Sequence, residues 1–281
     1  MYEKLGSYYR TKRLPNIWCP GCGNGIILNH FVEAFDKLGL DRDKTVVVSG
    51  IGCSSRAPLY LDFDTLHTTH GRAISYATGI KMSRPDLNVI VMTGDGDCSA
   101  IGGNHLIHAA RRNIDLTVLC FNNNNYGMTN GQYSPTTPLG FQSSTSLYGL
   151  IERPFDLCDL VKGAGGSYVG RTTTYHTTMI ANMITSGLKN KGFSFLDVIT
   201  QCPTYFGRKN KLGSPVAMMK WIRDSSITIK EASALPPEEI AGKFVIGEFV
   251  NKPSAEYTDE YGKLITRLNT RAEVSECRST S

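Results

Sequence analysis

The chain has 281 residues, 41% hydrophobic and 20% charged, with 28 glycines and a formal net charge of +5, an ordinary globular composition with room for one large α/β domain or two smaller ones. No apolar run reaches the roughly 18 residues of a membrane span, and residues 1–16 are polar, aromatic and basic rather than leader-like. The expectation is therefore no membrane, no export and a cytoplasmic chain, and the scattered basic residues argue against nucleic acid while leaving an acidic protein partner open.

In a reducing compartment eight cysteines read as metal, cluster or redox sites before they read as disulfides. The first pair, in Trp18-Cys19-Pro20-Gly21-Cys22-Gly23, precedes a helix predicted over 26–38 from the spacing of Ile27, Phe31, Ala34, Phe35 and Leu38. Free N–H groups at such a helix entrance favour thiolates or bound anions. A valine-rich strand over 45–48 then runs into Ser49-Gly50-Ile51-Gly52-Cys53-Ser54-Ser55, so a third cysteine lies just past a strand end. A short strand over 64–69, the turn His70-Gly71-Arg72 and a helix over 73–82 follow, the helix stopped before Pro85.

The centre of the chain comes next. The β-branched strand 88–93 stops at Gly94-Asp95-Gly96-Asp97, where glycines let backbone approach a ligand and a carboxylate can hold a hard cation. A helix over 103–112 and a strand over 115–121 complete a βαβ unit that ends in Asn122-Asn123-Asn124-Asn125-Tyr126-Gly127. In a parallel sheet both stretches fall at the carboxyl edge, where such folds bind ligands. Residues 127–149 are rich in Gly, Ser, Thr and Pro and long for a connection, which favours a functional loop. A helical piece over 155–161, a strand over 168–170, a helix over 177–188 and a strand over 194–200 lead to Gln201-Cys202-Pro203-Thr204, placing a fourth cysteine at a strand end. Helical pieces over 216–222 and 230–232 precede a polar stretch, 248–281, in which no chemistry is legible. The predicted fold is a single α/β domain over 1–281, a mostly parallel sheet with helices on both faces and a less regular extension from about residue 214.

Two constellations carry chemistry. Cys19, Cys22, Cys53 and Cys202 suit a structural zinc or an iron-sulfur cluster; the plainer alternative is a redox-active Cys19–Cys22 pair with two buried apolar cysteines. Cys120 and Cys158 fall among apolar positions and read as core, Cys98 follows Asp97 in the ligand loop, and Cys277 lies in the tail. The second constellation is Asp95 with Asn123, which twenty-six residues separate from Gly96. A carboxylate, an amide carbonyl and the backbone carbonyl of Asn125 make a site for magnesium, completed by a diphosphate and water; the plainer reading is a turn plus an asparagine-rich loop.

Gly94-Asp95-Gly96 with Asn123 resembles the thiamine-diphosphate motif. Together with Trp18-Cys19-Pro20-Gly21-Cys22, Ile51-Gly52-Cys53-Ser54, His70-Gly71-Arg72, Tyr126-Gly127-Met128-Thr129 and Cys202-Pro203, it is similar to the β subunit of the 2-oxoacid:ferredoxin oxidoreductases over residues 14–210. The resemblance implies a thiamine-diphosphate-binding fold and a 4Fe-4S cluster on Cys19, Cys22, Cys53 and Cys202. It also implies magnesium on Asp95, Asn123 and Asn125, and thiamine diphosphate against Ile51, Gly52, Cys53, Ser54, His70, Gly96, Asp97 and Gly127. The family's usual Asp-Asn is Asn122-Asn123 here. Cys202 to Asn210 looks most like the 2-oxoglutarate branch, where Arg208 is a candidate for the second substrate carboxylate.

What the resemblance implies about activity is coenzyme A-linked oxidative decarboxylation of 2-oxoglutarate, with electrons passing through the cluster to ferredoxin. It implies that the carboxylate that activates the thiamine pyrimidine comes from a larger α subunit in an αβ or (αβ)2 assembly, so no residue of this chain is assigned as catalytic. A pyruvate or other 2-oxo acid enzyme, a non-redox thiamine decarboxylase with a structural zinc, and a non-catalytic interaction subunit are the alternatives.

Overall fold

The computed structural model describes residues 5–279, so the stretch read for a leader is seen from Leu5 onward, and Met1 to Lys4 and the last two residues lie outside it. After the cysteine loop, α1 (Asn24–Leu38) leads to β1 (Thr45–Ser49), β2 (Asp64–His67), α2 (Ala73–Ser83), β3 (Asn88–Gly94), α3 (Gly103–Arg111) and β4 (Thr117–Asn122). A two-residue pair, β5 (Asn125–Tyr126) and β6 (Gln132–Tyr133), opens the long loop, and α4 (Leu157–Ala164), β7 (Tyr168–Thr173), α5 (Thr177–Lys189) and β8 (Ser194–Ile199) follow. The remainder is α6 (Pro215–Asp224), β9 (Ser226–Thr228), α7 (Ile229–Ala232), α8 (Pro237–Ile240), β10 (Phe244–Asn251) and α9 (Tyr257–Ser279).

The sheet runs β2-β1-β3-β4-β8-β7-β10-β9, and its first six strands are mutually parallel. Alternation along each strand sends side chains to opposite faces. Ile90 and Met92 of β3 pack with Phe31 and Phe35 of α1 and Ile180 and Ile184 of α5, while Val89 and Val91 pack with Ile74 of α2, Leu106 of α3 and Val161 of α4. Burial on both faces is why these strands read as continuous apolar runs.

The chain beyond residue 214 is more regular than its polar composition suggests. β10 adds to the sheet antiparallel to β7, with an irregularity between Glu248 and Val250, and carries β9 beside it. The helix α9 closes the described chain, and its Leu264, Ile265 and Leu268 are exposed. Neither element was predicted: β10 is only half buried, and Leu264, Ile265 and Leu268 of α9 face away from the core that would have given them a legible partner. Asp97–Ile101 forms a π-turn, also unread in the sequence.

Candidate functional site

Five adjacent strands, β2, β1, β3, β4 and β8, end at one edge, and the loops that leave them supply most of the residues expected to act. β1 lies between β2 and β3, so the chain reverses its direction of winding there, which is where open parallel sheets form a crevice.

One pocket in that crevice, of about 230 Å³, is lined by Ile51, Gly52, Cys53, Ser54, His70, Asp95, Gly96, Asp97, Asn123, Asn125 and Gly127 among others. The structure thus brings every residue expected around the diphosphate and the cation to one cavity. Asp97 organises it. Its buried carboxylate accepts from Gly71 N at 2.7 Å, Ile51 N at 3.3 Å and Thr93 Oγ1 at 2.8 Å, tying the loops after β1 and β2 to the loop after β3. A side chain at Gly50 would collide with that carboxylate, which is why the loop after β1 has glycine there. His70 Nδ1 stands 2.7 Å from Asp97 Oδ1 without the angle of a hydrogen bond, and the imidazole is one-third exposed. Its ring meets the edge of Tyr126, whose hydroxyl donates to Gly96 O at 3.2 Å.

Asp95 is 2% exposed, and burial pushes its carboxyl up to about 6 against the hydroxyls of Ser134 and Thr136, which favour the ionised form. Asn123 Oδ1 accepts from Asn125 N at 3.3 Å, and both amide atoms of the buried Asn125 have no hydrogen-bond partner. An orphaned amide beside a raised carboxyl is costly unless something polar fills the space.

The second pocket, of about 260 Å³, is lined by all four expected cysteines together with Trp18, Arg56, Asn123, Gly127, Met128, Pro203 and Tyr205. Two hydrogen bonds lock the cysteine loops to one another: Trp18 Nε1 donates to Cys53 O at 2.7 Å, and Gly23 N donates to Gln201 O at 3.2 Å. All four thiols are free, with Cys19 exposed and the others half-buried. Burial pushes Cys22 up to about 12, with smaller contributions from Cys202, Cys53 and Cys19, and pushes Cys53 up to about 11, with Cys202 and Cys19 adding. Among the described residues no three His, Cys, Asp or Glu side chains converge as one metal ion would need. The thiols ring a cavity rather than a point.

The pockets share Cys53, Asn123, Gly127 and Met128 as a common wall. A Cβ at Gly127 would lie 3.6 Å from the sulfurs of both Cys53 and Cys202, so glycine keeps this wall one backbone thick. Of the remaining cysteines, Cys98 and Cys120 are buried with sulfurs 3.7 Å apart, and Cys158 is core. The side chain of Cys277 lies outside those described. Arg208 is not brought to the Asp95 pocket: with Asn130, Tyr205 and Lys209 it lines a separate groove of about 490 Å³ that adjoins the thiol pocket through Tyr205.

Sequence reasoning missed the groups behind these loops. Thr136 Oγ1 reaches Asp95 Oδ2 at 2.7 Å, and Asn122 joins Thr136 to Asp197, which pairs with Arg171. Asp197 and Arg171 had a visible signal, opposite charges within two otherwise uncharged buried strands. Thr136 had none.

Comparison with known proteins gives the same picture. Residues 50–198 match the family described as thiamine pyrophosphate enzyme, C-terminal TPP binding domain. The chain is 55% identical over 265 residues to the 2-oxoglutarate synthase subunit KorB of Methanothermobacter thermautotrophicus, covering 94% of this chain and 93% of that one. With the subunit of the same name from Methanocaldococcus jannaschii the identity is 52% over 261 residues, 93% of this chain and 97% of the relative. A solved 2-oxoglutarate:ferredoxin oxidoreductase from Magnetococcus marinus, with 2-oxoglutarate, coenzyme A and succinyl-CoA bound, superposes with a TM-score of 0.83 at 33% identity, covering 94% of this chain and 90% of that chain. In sequence and in fold, this chain belongs to the KorB family of 2-oxoacid:ferredoxin oxidoreductase β subunits.

Proposed function

We propose that this chain is the cofactor-bearing β subunit of a 2-oxoglutarate:ferredoxin oxidoreductase, active only with a larger α subunit. Its reaction converts 2-oxoglutarate and coenzyme A to succinyl-CoA and carbon dioxide and releases two electrons to ferredoxin. The observation that carries the reading is the common wall of Cys53, Asn123, Gly127 and Met128 between a four-thiol cavity and a carboxylate-amide pocket. A non-redox decarboxylase has no use for that adjacency.

The residues fit the groups they would hold. Four thiols around a cavity, with no three converging on a point, suit a 4Fe-4S cluster better than one zinc ion. Asp95, Asn123 and Asn125 offer the oxygens that magnesium takes, and the unpartnered amide of Asn125 fits a pocket meant to be filled. Ile51, Gly52, Ser54, His70, Gly96, Asp97 and Gly127 would line thiamine diphosphate. When bound, thiamine diphosphate supplies the carbanion stabilisation that lets a 2-oxo acid lose carbon dioxide, and the cluster supplies a one-electron path.

The chain's own residues do the positioning. Asp97 clamps three loops through Gly71, Ile51 and Thr93, and so sets the shape of the diphosphate cradle. His70, its imidazole one-third exposed, stands beside that cradle and would face a phosphate oxygen. Trp18 and Gly23 hold the cysteine loops in register so that four sulfurs face one space. Of the wall between the pockets, Asn123 and Gly127 are buried, Cys53 is half-buried and Met128 is exposed.

The test is iron, sulfide and zinc analysis with a visible spectrum on protein purified without oxygen together with its partner subunit. About four irons and four sulfides in the four-cysteine site, lost in Cys53→Ala and Cys202→Ala, support the reading. One zinc and no visible absorption overturn it.

A further inference from the structure

Behind the Asp95 pocket a line of buried polar side chains crosses β7, β8 and β4 and ends just past β3, and its direction starts from Arg171, which can only donate. Arg171 of β7 donates Nε to Asp197 Oδ2 of β8 at 2.8 Å and holds Asp156 with its two terminal nitrogens at 2.9 and 2.8 Å. Asp197 Oδ1 takes a hydrogen bond from Asn122 Nδ2 of β4 at 3.0 Å. Because the amide nitrogen must face that carboxylate, Asn122 Oδ1 must face the other way, where it lies 3.0 Å from Thr136 Oγ1 and accepts from Asn124 N at 3.2 Å. Thr136 Oγ1 in turn lies 2.7 Å from Asp95 Oδ2, and Ser134 Oγ lies 3.1 Å from the same threonine oxygen. Asp197, Arg171, Asn122, Thr136 and Asp95 are all nine-tenths or more buried.

Thr136 has one proton and three oxygens within reach, Asp95 Oδ2, Asn122 Oδ1 and Ser134 Oγ. The Asp95 carboxylate oxygen, at 2.7 Å against 3.0 Å for Asn122 Oδ1 and 3.1 Å for Ser134 Oγ, is the nearest acceptor and takes the hydrogen bond. Asn122 Oδ1 loses nothing by this, because Asn124 N already satisfies it. The fixed amide of Asn122 then acts as a backstop that holds the threonine oxygen in place. An aspartate at position 122 would put two carboxylates 3.0 Å apart with no donor between them, which gives a physical reason for asparagine here.

We propose that Thr136 and Asn122 are positioning residues for the divalent-cation site. They commit Asp95 Oδ2 to the protein, so that the cation is met by the remaining oxygen in one orientation, and the direction of the whole line is set by the Arg171–Asp197 pair. This rests on the cation-site reading above. It also gives residues 127–149 a role in that site, since Thr136, together with Ser134, is where the loop meets Asp95.

The experiment is Mn2+ binding followed by electron paramagnetic resonance, with thiamine diphosphate present, on the complex of this chain with its partner subunit after removal of bound divalent ions. The variants are Thr136→Val, Thr136→Ser and Asn122→Leu, with melting temperature and iron content measured on each. Thr136→Val is expected to weaken Mn2+ by roughly 10- to 100-fold, the usual cost of losing a group that orients a metal ligand. Thr136→Ser, which keeps the hydroxyl, should stay within about threefold of wild type on the same scale. Asn122→Leu should weaken Mn2+ and alter its spectrum while iron content is unchanged. Wild-type affinity in folded Thr136→Val overturns the proposal, as does an equal loss in Thr136→Val and Thr136→Ser. If Thr136→Val does not fold, unaltered binding and spectrum in Asn122→Leu overturn it. Wild-type protein that binds no Mn2+ removes the cation-site reading itself.

Discussion

In the Asp95 pocket the charged groups arrive already partnered: Asp97 holds two backbone N–H groups and the Thr93 hydroxyl, and Asp95 meets Thr136. In the thiol pocket the loops are locked by Trp18 and by the backbone of Gly23, while burial pushes the Cys22 and Cys53 thiols up toward their protonated forms. The first pocket is shaped by its own hydrogen bonds before anything enters. On the proposed reading the second would depend on its occupant, because a bound cluster would have to displace protons and supply the bonds that draw four sulfurs together. Two pockets one wall apart therefore differ in how much of their order is intrinsic to the chain.

The largest effect should come from the side that depends on its occupant. Cys22→Ser is expected to abolish iron binding and visible absorption, while thiamine diphosphate and magnesium still bind with near wild-type affinity, measured by calorimetry on anaerobic protein. Loss of both would mean that the wall transmits order in that direction. Asp95→Asn is the converse. It should lower magnesium affinity by more than the roughly 100-fold that loss of a supporting residue reaches, with full iron content. Next comes Trp18→Phe, which deletes only the indole donor to Cys53 O; a hydrogen bond worth about 1 kcal/mol predicts iron loss to a chelator several-fold faster, with unchanged magnesium binding.

The smallest effect lies at the opposite edge of the sheet. Asp115, just before β4, meets Lys81 at 2.6 Å and Lys191 at 2.8 Å. Burial raises its carboxyl, but hydrogen bonds from Lys191 and Lys81 outweigh this and hold it below the ordinary carboxylate range. A depressed folded-state value stabilises the protein above the unfolded carboxylate's pKa of about 3.9, and that contribution is lost as pH falls through the depressed value. Melting temperature should therefore drop more steeply below about pH 4 in wild type than in Asp115→Asn, a comparison that leaves both pockets untouched.

Much of the site was legible because its residues stand where a strongly patterned strand stops. Cys53, Asp95, Asn123 and Cys202 each follow a buried run whose end the apolar pattern marks, and a parallel sheet brings such ends together whatever their separation in sequence. Thr136 was not legible, because a threonine inside an irregular loop belongs to no period; only the folded loop brings it against Asp95. β10 escaped for a related reason. Its Phe244, Val245, Phe249 and Val250 flank Gly247 and the irregularity that follows it, so the alternation is broken where a strand would be recognised.

The place of β8 in the sheet has a consequence for how the chain is made. β8 lies between β4 and β7 although it is synthesised after both, and it delivers Cys202. Until residues 194–202 are made, β4 has no neighbour on one side and Cys19, Cys22 and Cys53 have no fourth companion. On the proposed reading, a cluster held by all four cysteines would enter only once β8 is made, when the six parallel strands are present and β9 and β10 are still to follow.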